Sequence, residues 1–266
     1  FGWVGLDEHW RYKMAEQKQQ QKFPSEIIDL PSEGKIYPEG HPCSNGKIEI
    51  KYMTAREEDI LTSQNLIKKG VVIDRVLDSL ILTKGVKCND LFMGDKNAVM
   101  IAARILAYGP EYGCEIENPD TGEKFQHTFN LADCPFKKLP KGITENKFEA
   151  ELPVSKKTVT YRLLTGREEE QIQKDLKANK KIGTMVSPEL TTRLRYQVIA
   201  VDGDETPAVI NNFVVNMLSR DSLHLRREMN SITPDIELEQ EIEMGGESVK
   251  VNIPMTVGFF WPDSEG

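Results

Sequence analysis

No apolar stretch in this sequence approaches the ~18 consecutive residues that a membrane-spanning helix needs, so no span is expected. The opening residues show no signal-peptide pattern. Cations are outnumbered, 34 Lys and Arg against 42 Asp and Glu, for a net charge of −8. The basic doublets Lys156-Lys157 and Lys180-Lys181 are too small to make a phosphate-binding patch, which argues against a nucleic-acid partner. Cysteine is scarce, with four residues at positions 43, 88, 114 and 134 and no C-x-x-C spacing. That usage fits a reduced, cytoplasmic setting with buried or idle thiols. The four histidines, His9, His41, His127 and His224, include no i,i+4 pair. G-x-S-x-G, a Walker-type glycine loop, H-E-x-x-H and an EF-hand loop are all missing, which removes the local signatures of hydrolases, nucleotide enzymes and calcium sensors. Carboxylates are abundant but none stands out as a catalytic pair, so no enzyme and no cofactor are expected.

What the chain does have is a duplication. Lys51-Tyr52-Met53-Thr54-Ala55-Arg56-Glu57-Glu58-Asp59 recurs about 110 residues later as Arg162-Leu163-Leu164-Thr165-Gly166-Arg167-Glu168-Glu169-Glu170. In each copy an alternating strand (Ile48, Ile50, Tyr52; Val159, Tyr161, Leu163) leads to a Thr followed three residues later by a Glu. That spacing is a capping box. The hydroxyl of Thr54 or Thr165 takes one orphan helix N–H, and the carboxylate of Glu57 or Glu168 takes another. The acids that follow suit the positive end of the helix dipole.

The parallel continues downstream. Leu77 to Gly85 corresponds to Leu194 to Gly203, a further helix starts near Asp95 and near Asp221, and each stops close to a proline, Pro110 or Pro234. Hairpin patterns close both halves. The first runs through Cys114 and Ile116, turns at 118–122, and returns through Phe125, His127 and Phe129. The second runs through Ile236, Leu238, Ile242 and Met244, turns at Gly245-Gly246, and returns through Val249, Val251 and Ile253. Pro207 to Leu218 reads as an extra helix in the second half. The apolar stripes Ile73, Val76, Leu77, Leu80 and Ala98, Ile101, Ala102, Ile105 keep the helical period and read as core.

The predicted architecture is therefore α+β. It has two tandem copies of a strand, capped helix, helices and β-hairpin unit behind an extended N-terminal helical arm. Boundaries fall at 1–22 for the arm, 23–142 for the first repeat and 143–266 for the second. The apolar content of 39% with 8% aromatics supports modest cores of that size. Residues 23–46 read as an extended lead-in outside the core, and 134–146 as a basic linker.

Several residues are candidates for contact. In the arm, Asp7 is placed to cap a helix through Met14, after which Gln17 to Gln21 is wholly polar. Trp3, Trp10 and Tyr12 on that extension either fold back on the chain or dock on a partner. Phe259-Phe260-Trp261, before Pro262, either seals the second core or offers an exposed patch. The acids Glu237, Glu239, Glu241 and Glu243 form the outward face of a strand, solvated or opposed to a basic partner. Cys114, His127 and Cys134 flank one hairpin and would supply three of the four ligands of a zinc site, but strand alternation more simply packs Cys114 and His127 on a hairpin face, and no metal is expected.

Leu30-Pro31-Ser32-Glu33-Gly34-Lys35-Ile36-Tyr37-Pro38, then Gly46 to Ile50 and Met53 to Leu61, together with the ending Phe259-Phe260-Trp261-Pro262, resemble the baseplate hub and hub-assembly subunits of T4-type contractile-tailed phages. The resemblance runs from about residue 23 onward. Members of that family often place C-x-x-C pairs at the hairpins. This chain has Cys114 in the first hairpin and acids in the second, so it departs from the pattern a metal knuckle would need. The resemblance implies a non-enzymatic virion protein, assembled in the host cytoplasm, that contacts other tail and baseplate proteins in a threefold or sixfold assembly. A tail-assembly chaperone that leaves before completion, or a cell-wall hydrolase of the hub, are the alternatives.

Overall fold

The chain's computed structural model describes residues 24–118, 122, 124–181, 188–244, 247–255 and 257–260. The arm, with Trp3, Trp10 and Tyr12, lies outside the described residues, as does Trp261.

Each half begins with an antiparallel strand pair. In the first, β1 (Ser25–Asp29) pairs with β2 (Lys47–Lys51), placing Ile28 opposite Ile48. Helices α1 (Ala55–Leu61), α2 (Gln64–Lys69) and α3 (Val72–Leu80) follow. The chain then returns to the sheet, where Ile81 bridges Ile50. A 3-10 turn, Cys88–Asp90, leads into α4 (Met93–Tyr108) and the hairpin β3 (Glu111–Glu117) with β4 (Lys124–Asn130).

The second half keeps this order. β6 (Phe148–Glu151) pairs with β7 (Thr158–Tyr161), α5 (Gly166–Lys181) and α6 (Glu189–Gln197) follow, and β8 (Val198–Val201) returns beside β7. The expected extra helix is α7 (Pro207–Val215), with its proline at the start, where a missing N–H costs nothing. After α8 (Ser219–Ile232) comes the hairpin β10 (Glu239–Met244) with β11 (Glu247–Asn252). The fold is α+β with small sheets, as the patterns predict.

Two segments differ from expectation. The lead-in 23–46 belongs to the core: Leu30, Ile36, Tyr37 and Cys43 are all buried, because the β1–β2 loop folds back over α4. The expected linker also carries a strand. β5 (Phe136–Lys137) pairs with β9 (Asp235–Ile236), so Ile236 joins the first half instead of leading the second hairpin.

The reciprocal contact exists as well. The segment after the second hairpin crosses to the first half, where the Tyr112 hydroxyl donates to the Pro254 carbonyl at 3.1 Å and Phe259 meets the Tyr112 ring edge-on. Each half thus lays its post-hairpin segment on the other's helix-to-hairpin joint, and one buried apolar cluster runs from Leu30 to Phe260.

Candidate functional site

The duplicated Thr joints are built as follows. Glu57 accepts from the Thr54 N–H at 2.9 Å and from its hydroxyl at 2.6 Å. Thr54 is extended and stands directly before α1, the geometry that lets the carboxylate three residues on reach back. Lys51 Nζ donates to Glu57 at 2.8 Å and the Ser79 hydroxyl donates to the same oxygen, so a fully buried carboxylate ties β2, α1 and α3 together. Burial alone would raise its pKa, but the Lys51, Ser79 and Thr54 bonds prevail and bring it from 4.5 to about 2. At the second joint Glu168 accepts from the Thr165 N–H at 2.9 Å and from its hydroxyl, and lies 3.3 Å from Arg162. Lys51 and Arg162 both stand three residues before their Thr, so the ion pair is duplicated with the joint.

A second repeated device was not read from the sequence beyond the position of its acids. Asp95 and Asp221 are each the third residue of their helix, and both are buried. Asp95 accepts from the Ser32 N–H at 2.9 Å, the Ser32 hydroxyl at 2.6 Å and the Tyr37 hydroxyl at 2.8 Å. Asp221 accepts from the N–H groups of Val154 at 2.8 Å and Ser155 at 3.0 Å. Each aspartate therefore clamps the loop between the first two strands of its own half, Leu30-Pro31-Ser32 or Leu152-Pro153-Val154-Ser155. The available signal was the Leu-Pro shared by the two loops. Burial, against the Ser32 and Tyr37 bonds, leaves the Asp95 carboxyl raised. Around Asp221 burial acts the same way, but the Val154 and Ser155 bonds outweigh it and the carboxyl is lowered.

The seam between the halves forms around Phe92. Gly166 N–H donates to the Leu91 carbonyl at 3.0 Å, Thr165 bridges Phe92, and Arg167 pairs with Asp90. A Cβ on Gly166 would stand 2.8 Å from Asn89 Cα, and one on Gly94 would overlap the Pro234 carbonyl, so both positions need glycine for close approach. Arg104 adds a buried tie, donating to the carbonyls of Phe259 at 2.9 Å, Gly109 at 3.1 Å and Glu111 at 3.2 Å. A groove of about 630 Å³ lies along the seam, lined by both signs of charge, including Lys69, Arg75, Lys177, Asp78 and Glu169. That mixture selects no single ligand.

Phe259 and Phe260, candidates for partner contact, are 1% and 0% exposed. This corrects the expectation for them: they complete the core against Tyr112 and each other and have no face to offer a partner. Cys114 and His127 face each other across β3 and β4, while Cys134 Sγ accepts from Gln240 Nε2 at 3.4 Å. Among the described residues no group of three or more His, Cys, Asp or Glu side chains is placed to hold a metal. No helix among them is long and apolar enough to cross a membrane.

Residues 24–149 match the family model described as T4 bacteriophage base plate protein. The matched stretch takes in the lead-in, the first Thr joint, the Asp95 clamp and the first hairpin, and ends within β6. Neither the curated proteins nor the solved structures searched contain a match.

Proposed function

We propose, from the premise that residues 24–149 make this chain a T4-type phage baseplate protein, that it is a structural subunit of the hub region of a contractile tail. It works through contacts with other tail proteins and without catalysis. The observation that carries this reading is the family match falling on a frame that the chain then repeats, with its buried carboxylates occupied in holding strands to helices. The units of that role are the arm 1–22 and the repeats 23–142 and 143–266; the described residues of the two repeats share a core. Trp3, Trp10, Tyr12 and Trp261 are its proposed partner contacts. The surrounding assembly is threefold or sixfold symmetric and is built in the host cytoplasm.

Quantitative mass spectrometry of purified finished particles tests this. A few copies per particle are expected. Presence only in infected-cell lysate would overturn the structural reading in favour of an assembly factor. Deleting residues through Lys22 is expected to leave the fold intact and reduce incorporation, and unchanged incorporation would remove the arm from the role.

A further inference from the structure

The two hairpins hold unpaired strand edges on either side of one cleft. Among the described residues β3 pairs only with β4 and β11 only with β10, so each keeps one edge without a neighbour. An antiparallel ladder alternates residues bonded to the partner strand with residues whose backbone points away from it. The Leu131 N–H donates to the Pro110 carbonyl and the Ile253 N–H to the Leu238 carbonyl, both at 2.9 Å, which sets the phase of each ladder. The backbone N–H and C=O groups of Glu115 and Glu117 on β3, and of Lys250 and Asn252 on β11, therefore point away from their own hairpins. Farther along the same two edges the outward carbonyls have partners: that of Glu111 accepts from Arg104 and that of Pro254 from Tyr112. Next to them lies a cleft of about 260 Å³, lined by Glu115, Ile116 and Glu117 of β3 and by Lys250, Val251 and Asn252 of β11. Among the described residues no backbone group bonds to the outward groups there.

An extended segment completes such edges, and strand alternation dictates its side chains. On the inner face it meets Ile116 and Val251, each 6% exposed, so its inward residues must be apolar. The outer face of both hairpins is acidic. Glu111, Glu115, Glu117, Glu239, Glu241 and Glu243 are exposed there, and the lysines among them, Lys124 and Lys250, are already paired with Glu115 and Glu239. Its outward residues must therefore be cationic. Trp10-Arg11-Tyr12-Lys13-Met14, in the arm that precedes β1, has this alternation, apolar at one parity and basic at the other. Trp and Tyr also favour strands. Nine residues separate Met14 from Pro24, where the described chain begins. They give the segment a reach of up to roughly 35 Å.

We propose that the cleft between β3 and β11 takes residues 10–14 of a second copy of this chain as an added strand. Tyr12 points inward at Ile116 and Val251, Trp10 and Met14 share its face, and Arg11 and Lys13 lie against the outer glutamates. The docked segment is extended, where the spacing from Asp7 alone reads as a helix. The inference rests on the reading above that Trp10 and Tyr12 contact a partner, and it names that partner. Arm and cleft are different surfaces, so the association is head to tail.

The purified full chain tests this. Sedimentation velocity across a concentration series is expected to show reversible self-association that removing residues 1–22 abolishes. Reversing the arm charges, Arg11→Glu with Lys13→Glu, or the cleft charges, Glu115→Lys with Glu117→Lys, is expected to weaken it at least about tenfold. An equal mixture of the two reversed variants is expected to associate again, because each then meets an opposite charge on the other. Lys250→Pro removes an outward N–H, leaves the β10 ladder bonds in place, and is expected to weaken association as well. Amide hydrogen exchange at Glu115, Glu117, Lys250 and Asn252 is expected to slow in the associated chain and not in the truncated one. A wild-type chain that stays monomeric, even with its arm protecting its own cleft, overturns the proposal, as does association without slowing at those four amides. Neither result touches the baseplate reading, which the particle measurement decides.

Discussion

Compare Gly94 with Arg220. Both are the second residue of the helix that carries the clamping aspartate, yet one is a glycine pressed on the Pro234 carbonyl and the other an exposed arginine. The same contrast separates Gly166 from Ala55 and buried Phe92 from half-exposed Leu218. Where backbone of one half presses on the other, the copy carries glycine, at 94 and 166; at the equivalent uncovered positions the other copy carries Arg220 and Ala55. Differences between the halves therefore mark the seam, while their shared residues mark the frame.

The largest effect expected from breaking this comparison is at the carboxylates of the Thr joints. Glu57 is fully buried against Lys51, whereas the Glu168 side chain is 24% exposed. Glu57→Ala is expected to cost about 3–5 kcal/mol by urea denaturation, because it strands a buried lysine. Glu168→Ala should cost about 1 kcal/mol. Equal losses would mean that burial does not distinguish the joints. The pH dependence carries a definite sign. Glu57 has a folded pKa of about 2, below its ordinary 4.5. Its contribution is complete above the ordinary value and is lost as pH falls toward the folded one. The stability gap between wild type and Glu57→Ala should therefore narrow through that window.

Next in size, Gly94→Ala is expected to cost about 2–3 kcal/mol through overpacking against backbone. Arg220→Ala should change stability by under about 0.5 kcal/mol, and thermal melts of the pair decide whether the seam is as tight as its geometry. Asp221→Asn is expected to cost about 2 kcal/mol, since a carboxamide has one acceptor oxygen for the two backbone N–H groups of Val154 and Ser155. Asp95→Asn should cost about 1 kcal/mol, because two of its three donors are hydroxyls that can turn to accept. A reversed order would show that the two clamps are not equivalent devices. Thr54→Ala and Thr165→Ala are each expected to cost about 1 kcal/mol. Unchanged melting in both would remove the capping role.

Much of the frame was legible because its signals are local. The 3.6-residue stripe Val76, Leu77, Leu80, the alternation through Cys114 and Ile116, and the Thr-to-Glu spacing each lie within a turn or a strand of themselves. The aspartates were legible only as positions. That Asp95 receives Ser32 and Tyr37, and Asp221 receives Val154 and Ser155, requires partners at least 58 residues away in sequence. Proline and glycine made 23–46 read as a lead-in, because turn residues announce a change of direction and say nothing about what is packed beneath. Phe136 and Lys137 were read as linker for a related reason: a two-residue strand has no period to detect.

The sequence by itself determined the α+β frame and the reach of Glu57 and Glu168 back to the Thr54 and Thr165 N–H groups, since these are settled between residues close along the chain. Tertiary structure alone decided that Phe259 and Phe260 face inward, that β5 pairs with β9, and that the surface at Phe92 is covered while the one at Leu218 is open. Those outcomes depend on which half reaches across to which surface, and on burial shared among segments roughly seventy to more than a hundred residues apart, which no local pattern encodes.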